Sequence, residues 1–179
     1  KERLNVLAFP HTILQKVEQD LVRIVAYLEG VTSDKGDSIF SDHLRVAMGM
    51  TVPCGAQELD LFSAIPFHSA ALAVVRELTI APLINYTRAH GWGNWFRMHT
   101  NSSYLAEFNE KGWRDFYIRA AEILALNPRV QGLVGTSWFF DPAVKCVSPR
   151  LAYLYDLPME AGAYSLVHRS TALDIERAT

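Results

Sequence analysis

The stretch WFRMHTNSSYLAEFNEKGWRDFYIRAAEILALNPRVQGLVGTSWFFD (95–141) decides the fold. Trp95–Thr100 alternates in the manner of a short strand. Across 110–126, Trp113, Phe116, Tyr117, Ala120, Ile123 and Leu124 share one helical face, and Arg114, Asp115, Arg119 and Glu122 lie off it. Ser102, Ser103 or Asn109 is placed to cap that helix, and Asn127-Pro128 ends it. The apolar run Val130–Phe140 then reads as a strand buried on both faces. A strand, a helix and a second strand in this order predict two parallel neighbours joined by a right-handed crossover.

Outward from that unit, Leu14, Val17, Leu21, Ile24, Val25 and Leu28 recur at three- and four-residue intervals. They predict an N-terminal helix over 12–30 with this stripe inward, Gln15, Glu18, Asp20 and Arg23 outward, and Gly30 as the stop. A helical dimer contact is the alternative, so a homo-oligomer is one expectation for partners. Residues 31–42 read as a loop. Leu44–Val52 and Ala56–Ser63 read as two antiparallel strands around a Pro53-Cys54-Gly55 turn with the thiol at its tip, and Leu59 and Leu61 alternate with Glu58 and Asp60. From Pro66 a helical stripe begins, interrupted at Pro82 and stopped by Gly91-Trp92-Gly93. Ser148-Pro149 predicts a short helix, Gly162–Val167 a last strand, and the remaining tail only local order. The expected fold is a single α/β domain, with α+β as the alternative. It has a mixed sheet, helices on both faces and the N-terminal helix packed on it.

The composition narrows the function classes. Half the 179 residues are hydrophobic and the formal charge is −2, with Lys and Arg scattered. That argues against nucleic acid and against an anionic membrane as partners. No apolar window approaches the length of roughly 18 residues that a membrane span needs. Lys1-Glu2-Arg3 does not open a signal peptide. Two cysteines without metal or disulfide spacing suit a reducing compartment, and the expected location is the cytoplasm. Four Trp, seven Tyr and nine Phe suffice for a core and an aromatic-lined pocket.

In open α/β sheets, ligands collect beyond the carboxyl ends of the strands. That edge would present His99, Thr100 and Asn101 from one strand and Ser137, Trp138 and Asp141 from the other. The connection adds Tyr104, Glu107, Asn109 and Glu110. An imidazole, carboxylates and hydroxyls are the groups that general acid–base chemistry uses. The catalytic candidates are therefore His99, Glu107 and Asp141, with Cys54 as a nucleophile that His68 or His99 would activate. Trp95, Asn101, Tyr104, Ser137, Trp138 and Phe140 are the ligand-binding candidates. Each also has a plain structural role open to it: a strand histidine facing solvent, an Asx turn at Asp141-Pro142, helix-start acids at Glu107 and Glu110, a small buried thiol. His99, Glu107 and Asp141 lack the paired-histidine spacing of a metal site, and none is expected. No phosphate-binding loop or dinucleotide fingerprint names a cofactor.

Two phrases, HTNSSYLAEFNEKGW (99–113) and GTSWFFDPAVKCVSPRLAYL (135–154), resemble the hallmarks of a bacterial family of uncharacterised proteins. The first phrase there often begins His-Thr-Asp, and Asn101 stands here in place of that Asp. The family pattern continues with a basic, Arg-Arg-x-Tyr-rich segment that this sequence lacks, which implies a shorter relative. The resemblance covers the second half of the chain and carries no activity. The order of elements is also similar to the core of GNAT-type acyltransferases, including acyl-homoserine-lactone and N-acyl amino acid synthases. That similarity implies a small-molecule enzyme taking an acyl donor. His99 or Glu107 would be its base, with Trp92, Trp95, Trp138 and Phe140 lining an apolar acyl pocket. The Gly-rich loop that grips coenzyme A in those enzymes has as its counterpart Asn101–Gly112, with one Gly and two Glu. The alternative of a different class is a non-catalytic ligand-binding or interaction domain using the same aromatic cleft.

Overall fold

Asn109 starts the central helix. Its side-chain oxygen accepts from the backbone N–H of Gly112 at 3.0 Å, and helix α5 runs Glu110–Leu126 from that cap. Trp113, Phe116, Ala120 and Ile123 recur every three or four residues and all four are fully buried. Gly112 is buried with them because a side-chain carbon there would run into the carbonyl oxygen of Glu107. The computed structural model describes residues 7–30 and 38–165. Among them the order before α5 is α1 (His11–Gly30), α2 (Ser38–Ala47), β1 (Thr51–Pro53), β2 (Glu58–Ser63), α3 (Phe67–Glu77), α4 (Ala81–Arg88) and β3 (Asn94–His99). After α5 come β4 (Val130–Val134), α6 (Val144–Val147) and α7 (Tyr153–Glu160).

The strands form one mixed sheet in the order β1-β2-β3-β4. β1–β2 and β2–β3 are antiparallel, and β3–β4 is parallel with α5 as its crossover. This is the α/β fold with a mixed sheet and helices on both faces that the patterning implies. On the β3–β4 pair, Asn94 and Phe96 face Val130 and Leu133, so three residues of β4 span two of β3. Gly132 sits in that irregularity with φ of 156°, and the Trp95 ring lies where a side chain would be, 2.9 Å from the built Cβ.

Four expectations need correction. β4 ends at Val134, is half-buried and, among the described residues, pairs with β3 alone, so Val130–Phe140 is not one strand covered on both faces. Trp138–Phe140 instead forms a short 3-10 turn. Residues 44–47 are helical: His43 and Val46 are buried three apart while Leu44 is exposed, which is helix spacing. The N-terminal helix keeps Ile24 of the predicted stripe buried and Val17 half-buried but turns the rest of that stripe outward. Ile13, Asp20 and Ile24 are buried, and Leu14, Leu21, Val25 and Leu28 are exposed. Finally, Gly162–Ser165 is not strand, and the rest of the predicted last strand lies, with the tail, outside the described residues. The same holds for 31–37 of the expected loop.

Two compact units contain these elements. The first holds the chain up to Ala64 together with Gly93–Gly135, which includes the whole sheet. The second holds Ile65–Trp92 and the chain from Thr136.

Candidate active site

β2 and β3 pair so that Glu58 stands opposite His99 and Asp60 opposite Arg97. Alternation along each strand puts these four on one face of the sheet. Helix α2 covers that face. Its Arg45 donates to Asp60 at 2.6 Å, and its Asp42 lies 3.4 Å from His99 Nε2. Glu58 is consequently not the solvent-facing strand residue that its alternation with Leu59 suggests. It is fully buried.

Asn101, also buried, follows β3 directly. Its amide donates to Glu58 Oε1 at 2.7 Å, and its own oxygen accepts from the backbone N–H of Ser103 at 2.9 Å. Glu58 Oε2 is buried and has no hydrogen-bond partner among the described residues. Burial pushes the Glu58 carboxyl up to about 7, against the pull of the Asn101 amide, and the carboxylates of Asp42 and Asp20 add to the rise. The side chain therefore exchanges its proton near neutrality.

The polar layer continues into α1. Arg23 donates to Ser103 Oγ at 2.6 Å and to His43 Nε2 at 3.0 Å, and its guanidinium lies 5.6 Å from the Tyr104 ring centre. A guanidinium can only donate, so His43 Nε2 accepts and the ring carries its proton on Nδ1. Asp20 pairs with Arg23 at 3.3 Å. Burial raises its pKa too, with the Arg23 charge opposing. Asp20, Arg23, Ser103, Asn101 and Glu58 thus form one hydrogen-bonded chain from the N-terminal helix to the sheet.

The sequence-level candidates divide between the two units. His99, Asn101 and Tyr104 belong to this cluster. Glu107 holds Lys16 at 3.2 Å and Arg119 at 3.5 Å, tying α1 to α5, and is a structural anion in that role. Cys54 is not at an exposed tip. It is fully buried, its thiol is pushed up to about 12 by burial, and its carbonyl accepts from Arg119 at 3.0 Å. A thiol held protonated in this way is not an activated nucleophile. Trp95 is half-buried against Gly132. Ser137, Trp138, Phe140 and Asp141 belong to the second unit, where Asp141 Oδ1 accepts from Ala143 N at 2.8 Å as a turn residue. Trp138 is 59% exposed and meets Phe139 edge-on.

No family model, curated protein or solved structure matches the chain. The site's reading rests on its own chemistry. Among the described residues, no group of three His, Cys, Asp or Glu is placed to hold a metal ion. The reading from sequence alone missed Glu58, Asp42, Arg23, Asp20 and His43. Recognising 38–47 as a helix would have found most of them. It sets Asp42 and Arg45 one turn apart, facing the strand that carries Glu58 and Asp60.

Proposed function

We propose that the chain is a small-molecule enzyme of the acyltransferase type, with Glu58 as its general base. One observation carries this reading. Glu58 is a buried carboxyl with one oxygen fixed by Asn101, the other unpartnered, and a pKa of about 7. A base tuned to the working pH, in a fixed geometry, is what proton abstraction needs. Its placement supports the same reading, since Glu58 pairs with His99 at the carboxyl end of β3, where α/β sheets gather ligands. The order of α1, α2, the antiparallel strands, the α5 crossover and the parallel β4 resembles the GNAT core. That likeness suggests acyl transfer by analogy of fold.

In this reaction Glu58 Oε2 takes the proton of an amine or hydroxyl as that nucleophile bonds to the acyl carbon. The bond from the acyl carbon to the leaving group breaks, and the leaving group departs with the electron pair. Asn101 keeps Oε1 occupied and so leaves Oε2 as the oxygen that takes the proton. His99, held against Asp42, is the group at hand to protonate the leaving group. Coenzyme A is a poor fit as donor. The first turn of α5 carries Glu110, the N–H of Gly112 is taken by Asn109, and the connection has no glycine run to cradle a pyrophosphate.

The test incubates the purified chain with a panel of acyl thioesters and amine or alcohol acceptors, with products read by mass spectrometry. Activity should rise through an apparent pKa near 7, and Glu58→Gln should lower it by roughly 10²–10⁴-fold. Unchanged turnover in Glu58→Gln rejects Glu58 as the base. A second reading, a non-catalytic binding domain, is favoured by the exposed indole of Trp138. It predicts ligand retention that survives Glu58→Gln and His99→Ala and fails in Trp138→Ala.

A further inference from the structure

The hairpin of α3 and α4 in the second unit has an apolar end whose side chains are exposed among the described residues. Helix α3 buries Ala70 and Ala73 on one side, yet Leu72 and Val75, on the opposite side, are exposed. A helix apolar on both faces normally has both covered. At the turn, Leu78 is 91% exposed and Ile80 is 66% exposed. Leu78 also adopts the left-handed conformation, with φ of 53° and ψ of 35°, as the residue that ends α3. Glycine or asparagine ordinarily takes that position, because a branched apolar side chain is strained there and gains no burial in return. A strained residue that protrudes into water is a mark of function more than of packing.

The other end of the hairpin is rigid. Phe67 meets Tyr86 edge-on and Tyr86 meets Trp92 at a tilt, with ring centres 5.6 and 5.9 Å apart, and Ile65 N donates to the carbonyl of Gly91. Gly91 lies against the Tyr86 ring, with no room for a side chain. The turn is therefore held out on an 11-residue helix, about 16 Å from its aromatic base. From Leu78 to Thr87 the sequence LTIAPLINYT has no charged residue; exposed Arg76 and Glu77 precede it, Glu77 adjoining Leu78, and exposed Arg88 follows it. Arg88 lies about 10 Å along α4 from the turn. That spacing matches the depth of roughly 5–10 Å at which apolar side chains enter a bilayer while guanidinium groups stay at the phosphates.

We propose that this turn is a membrane-docking tip, inserting Leu78 and Ile80 among phospholipid acyl chains while Arg76 and Arg88 meet the phosphates. Convexity fits a deformable partner better than a small ligand, which needs a concave site. The formal charge of −2 is an average over the whole chain, and the uncharged turn meets the surface first. The contact is peripheral, since no helix among the described residues is long and apolar enough to cross a membrane.

The test is co-sedimentation of the full chain with vesicles of phosphatidylcholine, alone or mixed with phosphatidylglycerol. The protein should pellet with both, several-fold better with the anionic mixture. The double variant Leu78→Asp, Ile80→Asp should bind at least about tenfold more weakly while keeping its circular dichroism and melting temperature. Leu78→Gly supplies a control that keeps the left-handed backbone at the turn. It should raise the melting temperature by relieving the backbone and at the same time weaken vesicle binding. Absence of sedimentation with either vesicle overturns the proposal, as does binding that the double variant leaves intact. If light scattering finds instead a dimer that the double variant abolishes, the tip belongs to a second copy of the chain, which also overturns it. None of these readouts uses enzymatic turnover, so they stand apart from the role of Glu58.

Discussion

Glu58 sets the pH behaviour of the molecule as well as its chemistry. In the unfolded chain this carboxyl releases its proton near the ordinary 4.5, and in the fold it keeps the proton up to about 7. Between those values the folded state binds the extra proton, so stability falls as pH rises through that window and is level above it. The loss is on the order of 3 kcal/mol at about 1.4 kcal/mol per pH unit. Glu58→Gln removes the ionisation but keeps an acceptor for the Asn101 amide. Urea unfolding of the variant should therefore show higher stability than the parent at about pH 8, and near equality at about pH 4.5. A slope that persists in the variant assigns the effect elsewhere. Asn101→Asp is the converse change. It replaces the 2.7 Å amide donor with a second carboxylate. That variant should lose stability at neutral pH, by roughly 2–4 kcal/mol, and recover most of it in acid, where the pair can share a proton.

At the scale of elements, α5 depends on one glycine. A methyl at Gly112 would collide with the backbone carbonyl of Glu107, and neither backbone is free to move, because Asn109 caps the helix between them. Gly112→Ala should cost on the order of 2–4 kcal/mol, against the small gain that alanine gives in an open helix position. Denaturant midpoints would reveal it, and a neutral result would mean the cap shifts at no cost. This helix was the most legible element in the sequence, since its apolar stripe has a single helical interpretation. The crossover and the antiparallel pairing across the Cys54 turn were legible too, although only Thr51 and Val52 of the predicted Leu44–Val52 strand are strand. What could not be read were faces. In α1 the leucine and valine stripe Leu14, Leu21, Val25 and Leu28 is regular, yet the buried side carries Asp20. Periodicity counts apolar residues, and it is silent about polar groups that meet one another inside. Glu58 was read on the same logic only as a polar member of an alternating strand. Alternation along β2 is correct, but the cover on its polar face is α2, a helix whose short stretch after a polar loop read as strand. Of the residues chosen from sequence, His99 and Asn101 lie in the polar cluster around Glu58, and Glu58 itself was not among them.

At the scale of the whole chain, the two units differ in what they bury. The first has Trp113, Phe96, Phe116, Leu59 and Ile123 with no exposure, large side chains closing on the sheet from its strands and from α5. The α3–α4 part of the second unit closes on Ala70, Ala73, Pro82 and Tyr86, and three of these four are small. Burial of each large apolar side chain contributes about 1.5–3 kcal/mol and an alanine far less, so local opening of the hairpin requires less free energy than opening of the sheet. Native-state hydrogen exchange should follow this order. Amides of β2, β3 and the middle of α5 should exchange last, near the limit set by global unfolding, and those of α3 should exchange well before them. Trp113 gives a second readout, because it is fully buried while Trp92 and Trp138 are exposed. Acrylamide should quench the fluorescence of the latter two in the folded protein and reach Trp113 only as the global transition proceeds. Protection of α3 equal to that of α5 would mean that the exposed face of the hairpin is covered in solution. Repeating the exchange with phosphatidylcholine vesicles present separates the causes. If the cover is lipid, protection at 78–84 rises with vesicle concentration; if it is a second copy of the chain, it rises with protein concentration instead.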